Sequence, residues 1–427
     1  MQPDYSVNTA STTYLAERQP SPVDLWETAR SLGIPAALWR LPNQKDKHLI
    51  VSFDKVLPRV AVDLDELPAG FLISPFDNIT DSSANPDIES PARTLFLRAD
   101  LQAVFSENNP SLIKSKSGKT ADQFWQTLKN RSGRQQQASS GGSVTFLADP
   151  EAEVQYIRNV EAAVDAMQRG AFRKVVLSRT KRVQFSDAPN AVALFDKLCQ
   201  TYPTAFVSAV AIPERGQIWM SATPERLVSV NADGIFQTAA LAGTQSAFNP
   251  DGTAKRPPDA MWSQKEIEEQ AIVCRYIIEC FKKIRLREYI EEGPKSIIAG
   301  NLMHLGTCFT VDTQAVRYPQ LGTVMLRLLH PTSAVCGTPR DVAFTFIGQH
   351  ETHDRELYSG FLGPVNINAA EGPATDIFVH IRCMKLEGKL ATLYAGAGLT
   401  EDSNPEREWQ ETEMKCQTLL KVMMNDE

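Results

Sequence analysis

The chain is poor in the features that would make it a disulfide framework, a nucleic-acid binder or a membrane protein. Its seven cysteines, at 199, 274, 280, 308, 336, 383 and 416, are scattered and odd in number, and none are spaced Cys-x-x-Cys. Reduced thiols packed as small apolar residues are expected rather than disulfides. Basic charge is in deficit, with 44 Lys and Arg against 51 Asp and Glu and a net charge of -7. That weighs against nucleic acid or an anionic membrane as a main partner. An anionic small molecule could still bind, given local cations or a metal. No apolar run approaches the length that crosses a bilayer. The start, Met1 to Tyr5, has neither a basic cluster nor an apolar core, so no secretory leader and a cytoplasmic location are expected. Zinc-protease spacing is missing too: His350-Glu351-Thr352-His353-Asp354 does not fit His-Glu-x-x-His and reads as a turn. Gly396-Ala397-Gly398 lacks the third glycine of a dinucleotide loop, because position 401 is Glu401. There is no internal repeat.

What is present is the make-up of a globular protein, 42% hydrophobic and 22% charged, long enough for one large domain or two ordinary ones. Short apolar runs mixed with Pro, Asp and Asn suggest strands and turns up to about Phe105. Residues 106–143 are polar, and the stretch from Gln135 to Gly142 reads as a mobile loop. A helix is expected from Asp149 to Gly170, with Val154, Ile157, Val160, Val164 and Met167 at helical spacing. Lys174-Val175-Val176-Leu177-Ser178-Arg179 reads as a strand with Lys174, Val176 and Ser178 on one face. Ile218 to Ala222 and Leu390 to Ala395 read likewise. Trp262 to Ile284 reads as a long helix with Ile267, Ala271, Cys274, Ile278 and Phe281 as its apolar stripe. Strands and helices alternate irregularly, which favours an α+β architecture.

The last helix carries the first chemical signal. Ser403 with Glu406 reads as a capping box and Pro405 suits the first turn. Glu408, Glu411 and Lys415 then share a face. Glu266 and Glu269 repeat the spacing of Glu408 and Glu411 on the helix from Trp262. Two such helices facing each other would suit Mg²⁺, a hard ion that takes oxygen ligands; the plainer reading is two solvated charged faces. Lys174 at the head of an apolar strand is unusual: either it is buried and serves as a general base, or it guards a sheet edge. Glu225, after the turn residue Pro224, is either a general acid or a partner of Arg226. His304 sits in an apolar setting, where a satisfied core histidine is the commoner case. Arg382 is a candidate inward-facing strand residue for clamping a carboxylate in a fork. Leu241-Ala242-Gly243-Thr244 offers close backbone approach with a hydroxyl.

Taken in order, these stretches resemble the chorismate-utilising enzymes, and among them the isochorismate synthases. The resemblance runs from about Asp149 to the carboxyl terminus. It rests on Phe172 to Arg179, Thr223-Pro224-Glu225-Arg226-Leu227, Leu241 to Thr244 and Met303-His304-Leu305-Gly306-Thr307. It continues through Leu329-His330-Pro331-Thr332, Tyr358 to Gly363, Tyr394 to Gly398 and Glu411-Thr412-x-x-Lys415.

The resemblance implies an α+β fold of two stacked subdomains, each a large antiparallel sheet flanked by helices, with the active site in the cleft between them. Residues 1–148 would be the variable part of that fold and 149–427 the catalytic region. It implies Mg²⁺ held by Glu269 and Glu411, with Glu266 and Glu408 behind them or bridged by water. Gly243, Thr244, Arg382, Gly396, Gly398 and Lys415 would hold the carboxylates of chorismate, and His304 would lie beside the ring. Lys174 would be the base that activates water at C2, and Glu225 the acid that protonates the departing C4 hydroxyl. Burial would favour the neutral amine of the first and the protonated form of the second.

By resemblance, Lys174 with Ala242 points to a water-using enzyme without an amidotransferase partner. Salicylate synthase, which adds pyruvate elimination, shares these residues, and a non-catalytic chorismate-binding relative is the remaining alternative. The run Gly360 to Asn368 is similar to isochorismate synthases of the menaquinone or siderophore type. Two departures stand out: Gln270 where relatives often carry His, and Thr375-Asp376 where they often carry Gly-Glu. Oligomeric state is left open.

Overall fold

The structure is a computed structural model, and it describes residues 19–78, 93–106, 112–131, 143–249, 251–299, 302–369 and 372–424. From the amino terminus run α1 (Pro22–Leu32), β1 (Ala36–Arg40), β2 (Lys47–Val51), β3 (Arg59–Val60), β4 (Gly70–Ser74), β5 (Thr94–Arg98), β6 (Leu101–Phe105), β7 (Leu112–Ser115) and α2 (Lys119–Arg131). Next come β8 (Val144–Phe146), α3 (Ala152–Gln168), β9 (Lys174–Phe185), α4 (Ala191–Thr201), β10 (Phe206–Ile212), β11 (Gln217–Thr223), β12 (Arg226–Val230) and β13 (Ile235–Ser246). The remainder is α5 (Gln264–Lys283), β14 (Ile290–Ala299), β15 (Leu302–Asp312), α6 (Leu321–Leu329), β16 (Gly337–Thr338), α7 (Arg340–His350), β17 (Phe361–Val365), β18 (Ile367–Ala369), β19 (Gly372–Val379), β20 (Cys383–Glu387), β21 (Leu390–Leu399) and α8 (Pro405–Met423).

These strands form two large antiparallel sheets, so the α+β expectation holds. The first runs in the order β16-β9-β21-β20-β11-β10-β1-β2-β6-β7, the second β14-β15-β13-β12-β19-β17-β4-β5-β3. Strands from before residue 148 extend both sheets. The sheets face each other through Trp39, Phe71, Phe206, Trp219, Leu362, Phe378 and their neighbours. Phe206 of the first sheet stacks on Phe378 of the second at 4.1 Å between centroids. Each sheet covers its other face with helices: α1, α2, α4 and α8 on the first, α5 and α6 on the second. That burial of apolar surface on both faces is the main stabilising term.

Of the connections that pass from sheet to sheet, two are tied together beside one end of the cleft. Pro224 and Glu225 join β11 to β12, and His380 to Arg382 join β19 to β20. The crossings are tied to each other's strands: Val379 N donates to Glu225 O at 2.9 Å, and Ala222 N donates to Arg382 O at 3.1 Å.

Several local expectations are corrected. The stretch 106–143 is not all loop: it contains β7 and α2, whose Phe124, Trp125 and Leu128 are buried. The part read as mobile, Gln135 to Gly142, lies outside the described residues. Helix α8 is capped by Asn404, whose side chain accepts from Arg407 N at 3.0 Å, while Ser403 Oγ accepts from Thr400 N at 3.1 Å. Asn is as good a cap as Ser, and its position directly before Pro405 gives it the extended backbone a cap needs. The capping box sits instead on α5, between Ser263 and Glu266. The buried stripe of α5 is Gln270, Val273, Ile277, Cys280 and Phe281; Ile267 is 47% exposed. All seven cysteines are free thiols. Among the described residues, no helix is long and apolar enough to cross a membrane.

Candidate active site

A cavity of about 270 Å³ opens where the sheet crossings meet α5 and α8. Strand alternation explains one of its walls. On β9, Val175 and Leu177 pack outward against α3 and α7, together with Ala397 and Leu399 of β21. The opposite face of the same two strands carries Lys174, Val176 and Ser178, registered against Gly398 and Gly396. The glycines are there for space. A Cβ on Gly398 would lie 3.1 Å from Glu269 Oε1 and 3.2 Å from Lys174 Cε, and one on Gly396 would lie 2.8 Å from the Tyr358 hydroxyl.

Lys174 is 1% exposed and is not an edge-guarding residue. Its Nζ donates to Glu269 Oε1 at 3.0 Å, so it reaches the cavity through that carboxylate. Glu269 also accepts from Gly243 N at 3.3 Å, where the backbone turns with φ +65°. Burial works to raise the pKa of Glu269, but the charge of Lys174 prevails and holds it below the ordinary carboxylate value.

Glu225 reaches the cavity from the β11–β12 crossing, not from a pairing with Arg226, whose guanidinium lies 3.4 Å from Asp376. Glu225 is buried, and desolvation pushes its pKa up to about 7 against the pull of Lys174, Arg382 and Lys415. Arg382 lines the cavity from the other crossing. It is not in a strand, as expected from the sequence, but in a left-handed residue with φ +48° just before β20. Burial lowers its pKa below the usual arginine value.

The outer wall holds Glu411 and Lys415 of α8, with Lys415 Nζ donating to Glu411 Oε1 at 2.6 Å and to Gly396 O at 2.8 Å. His304 of β15 lines the cavity with its Nδ1 2.9 Å from Gly243 O. A carbonyl only accepts, so Nδ1 carries the proton. Burial brings the His304 pKa down to about 3 and the ring is neutral.

Of the residues singled out from sequence, Glu225, Gly243, Glu266, Glu269, His304, Arg382, Gly396, Gly398, Glu411 and Lys415 line this cavity. Lys174 touches it through Glu269. Glu408 does not: it is 2% exposed, and its charge acts on Tyr156. The side chain of Thr244 lies outside the described residues. Gln270 is buried and donates to Thr307 Oγ1 at 3.0 Å and Ala240 O at 3.3 Å. Sequence reasoning missed Ala334 and Ile381 in the wall, and Tyr358 and Tyr394 in a small adjoining recess. Their signal was their place in or beside the quoted stretches.

Comparison with known proteins bears on the family and the fold. The family model described as "Chorismate binding enzyme" matches residues 94–424. The chain belongs to that family. Among curated relatives, isochorismate synthase DhbC of Bacillus subtilis is 28% identical over 296 residues, covering 68% of this chain and 72% of DhbC. Isochorismate synthase MenF of Escherichia coli is 30% identical over 275 residues, covering 62% of this chain and 59% of MenF. The match thus spans less than two thirds of MenF's own length. The solved structure of MenF, the menaquinone-specific isochorismate synthase from Escherichia coli, shares the fold. Its TM-score is 0.70 at 20% identity, and the match covers 96% of this chain and 92% of that one.

Proposed function

We propose that this member of the chorismate binding enzymes isomerises chorismate to isochorismate with the help of Mg²⁺. The observation that carries the reading is one cavity approached by two buried groups of opposite task. Glu225 keeps its proton up to about pH 7, and the amine of Lys174 lies close enough for its charge to act on that carboxyl. The names of the relatives support the same reaction.

The chemistry needs both groups. Water is a weak nucleophile and hydroxide a poor leaving group. Lys174 serves as the base that takes a proton from water as oxygen bonds to C2 of the ring. The diene electrons shift, the C4–O bond breaks, and Glu225 protonates the departing oxygen. One water enters and one leaves, so nothing is oxidised or reduced. Arg382 and Lys415 line the cavity and are the cations that would hold the substrate carboxylates. Glu269 orients the Lys174 amine, and Gly396 and Gly398 keep the space clear for the ring.

The residues present fit a divalent cation. Glu266 and Glu269 of α5 and Glu411 of α8 line the cavity and offer the carboxylate oxygens a hard ion takes, although among the described residues they are not gathered into a three-carboxylate cluster. Glu269 and Glu411 would hold it, and when bound it supplies charge neutralisation for the substrate carboxylate. Lys174 gives water a proton acceptor, so no ammonia-supplying subunit is required.

Purified protein incubated with chorismate and Mg²⁺ should yield isochorismate by chromatography, without pyruvate. Untouched chorismate, or salicylate with pyruvate as the main products, refutes the assignment.

A further inference from the structure

The strand that carries Lys174 has an incomplete outer edge. β9 pairs along its inner side with β21 from Val175 to Gln184. On its outer side β16 covers only Lys174 and Val175, and β8 covers only Val183 to Phe185. The outward backbone groups of Val176 and Ser178 therefore face no strand. Val176 N donates to Cys336 O at 2.8 Å. Arg355 Nη2 donates to Val176 O at 2.7 Å, and Ser178 N donates to Glu351 Oε1 at 2.7 Å.

Glu351 and Arg355 are themselves locked together. Arg355 Nε donates to Glu351 Oε2 at 2.8 Å and Nη2 to Glu351 Oε1 at 2.6 Å. Ser178 Oγ adds a bond to Glu351 Oε1 at 2.9 Å, and Arg355 Nη1 donates to Val335 O at 2.8 Å. Both side chains are under 5% exposed, and the guanidinium lies 4.2 Å over the Phe76 ring. Unpaired backbone in such a place is costly, and a buried charge without its partner is costlier.

We propose that the Glu351–Arg355 pair acts as a surrogate strand that fixes the catalytic edge of β9. Its two charged ends satisfy consecutive ladder positions, Val176 C=O and Ser178 N–H. Its third arm ties in Val335, beside the cavity residue Ala334. The pair thereby sets the path of β9 on which Lys174 and Val176 face the ring. These are positioning residues, not catalytic ones. The kinetic part rests on the isomerase reading above; the structural part does not.

The test is a charge-neutral double variant, Glu351→Leu with Arg355→Met, which removes the pair without stranding either charge. The protein should fold, with a melting temperature below that of the parent because Val176 C=O, Ser178 N–H and Val335 C=O lose their partners. Amide exchange at Val176 and Ser178 should accelerate by about a hundredfold, while Leu393 and Tyr394 of the neighbouring strand stay protected. With chorismate and Mg²⁺, kcat should fall by about tenfold or more while KM stays within about threefold. Arg355→Lys, which keeps the charge but loses the fork, should fall between the two; if the double variant does not fold, this variant carries the same readouts. Unchanged exchange at Val176 and Ser178 overturns the surrogate strand. Accelerated exchange with undiminished kcat overturns its role in placing Lys174. If the parent protein leaves chorismate untouched, the isomerase reading falls, and the exchange result alone decides the surrogate strand.

Discussion

Glu269 and Glu411 both face the cavity and both are paired with a lysine, yet the two pairs are built differently. Glu411 bonds Lys415 one turn along the same helix, with 31% and 15% of the side chains exposed. Glu269 bonds Lys174 across the cleft, from a helix on the second sheet to a strand of the first, and Lys174 is 1% exposed. The first is a local helical pair of the kind worth a few tenths of a kcal/mol. The second ties the two halves of the fold together at the site where chemistry is proposed. An ion pair of this kind is costly to break because it leaves a buried charge behind. The comparison teaches that the cavity has a soft wall on α8 and a stiff one between β9 and α5.

The sharpest way to break the stiff wall is at its amine. Lys174→Ala should lower kcat for isochorismate formation by about a thousandfold or more, the upper range for a proton-transfer group. Glu225→Gln should cost about a hundred- to a thousandfold in the same chromatographic assay. In the parent protein, kcat/KM should decline above about pH 7 as Glu225 loses its proton; a flat profile from pH 6 to 9 argues against Glu225 as the acid.

The same residue makes a stability prediction of definite sign. Glu225 ionises near 4.5 when unfolded and near 7 when folded. A raised folded value favours the folded state fully below about 4.5, and that advantage disappears as pH rises through 7. Glu225→Gln cannot ionise. Its stability relative to the parent should therefore improve between pH 5 and pH 8 by about 3 kcal/mol in denaturant titrations.

The two carboxylates test the contrast directly. Glu269→Gln should destabilise by about 3 kcal/mol, because Lys174 is left buried without its counter-charge. Glu411→Gln should cost under about 1 kcal/mol, because Lys415 keeps Gly396 O and some solvent. Equal unfolding midpoints for the two variants erase the distinction. Gly398→Ala adds a methyl that would press on the Lys174–Glu269 pair. About 1 kcal/mol of stability and about a tenfold drop in kcat are expected.

How far the site was legible depended on the range of each interaction. Lys174, Val176 and Ser178 share a face by strand alternation, and Glu411 with Lys415 by helical period; both follow from local geometry. The cap of α8 went to Asn404 because two good capping residues stood side by side, and only backbone position chose between them. The stripe of α5 rotated because Gln270, a polar residue, turned inward to bond Thr307 and Ala240. Arg382 was misread as a strand residue because nothing in Phe378 to Arg382 announces that the chain changes sheets there. His350 to Asp354 was read as a plain turn. Glu351 owes its role to Arg355, four residues on, and to the bare edge of β9, which lies far away in sequence.

The sequence by itself determined the residue types, their alternation along β9 and β21, the helical face of α8, and the family to which the chain belongs. Only the tertiary structure decided which carboxylate meets Lys174, why burial raises the pKa of Glu225, and what completes the edge of β9. The reason is physical. Period and propensity are properties of neighbouring residues, whereas burial and counter-charge are set by partners that two stacked sheets bring together from distant parts of the chain.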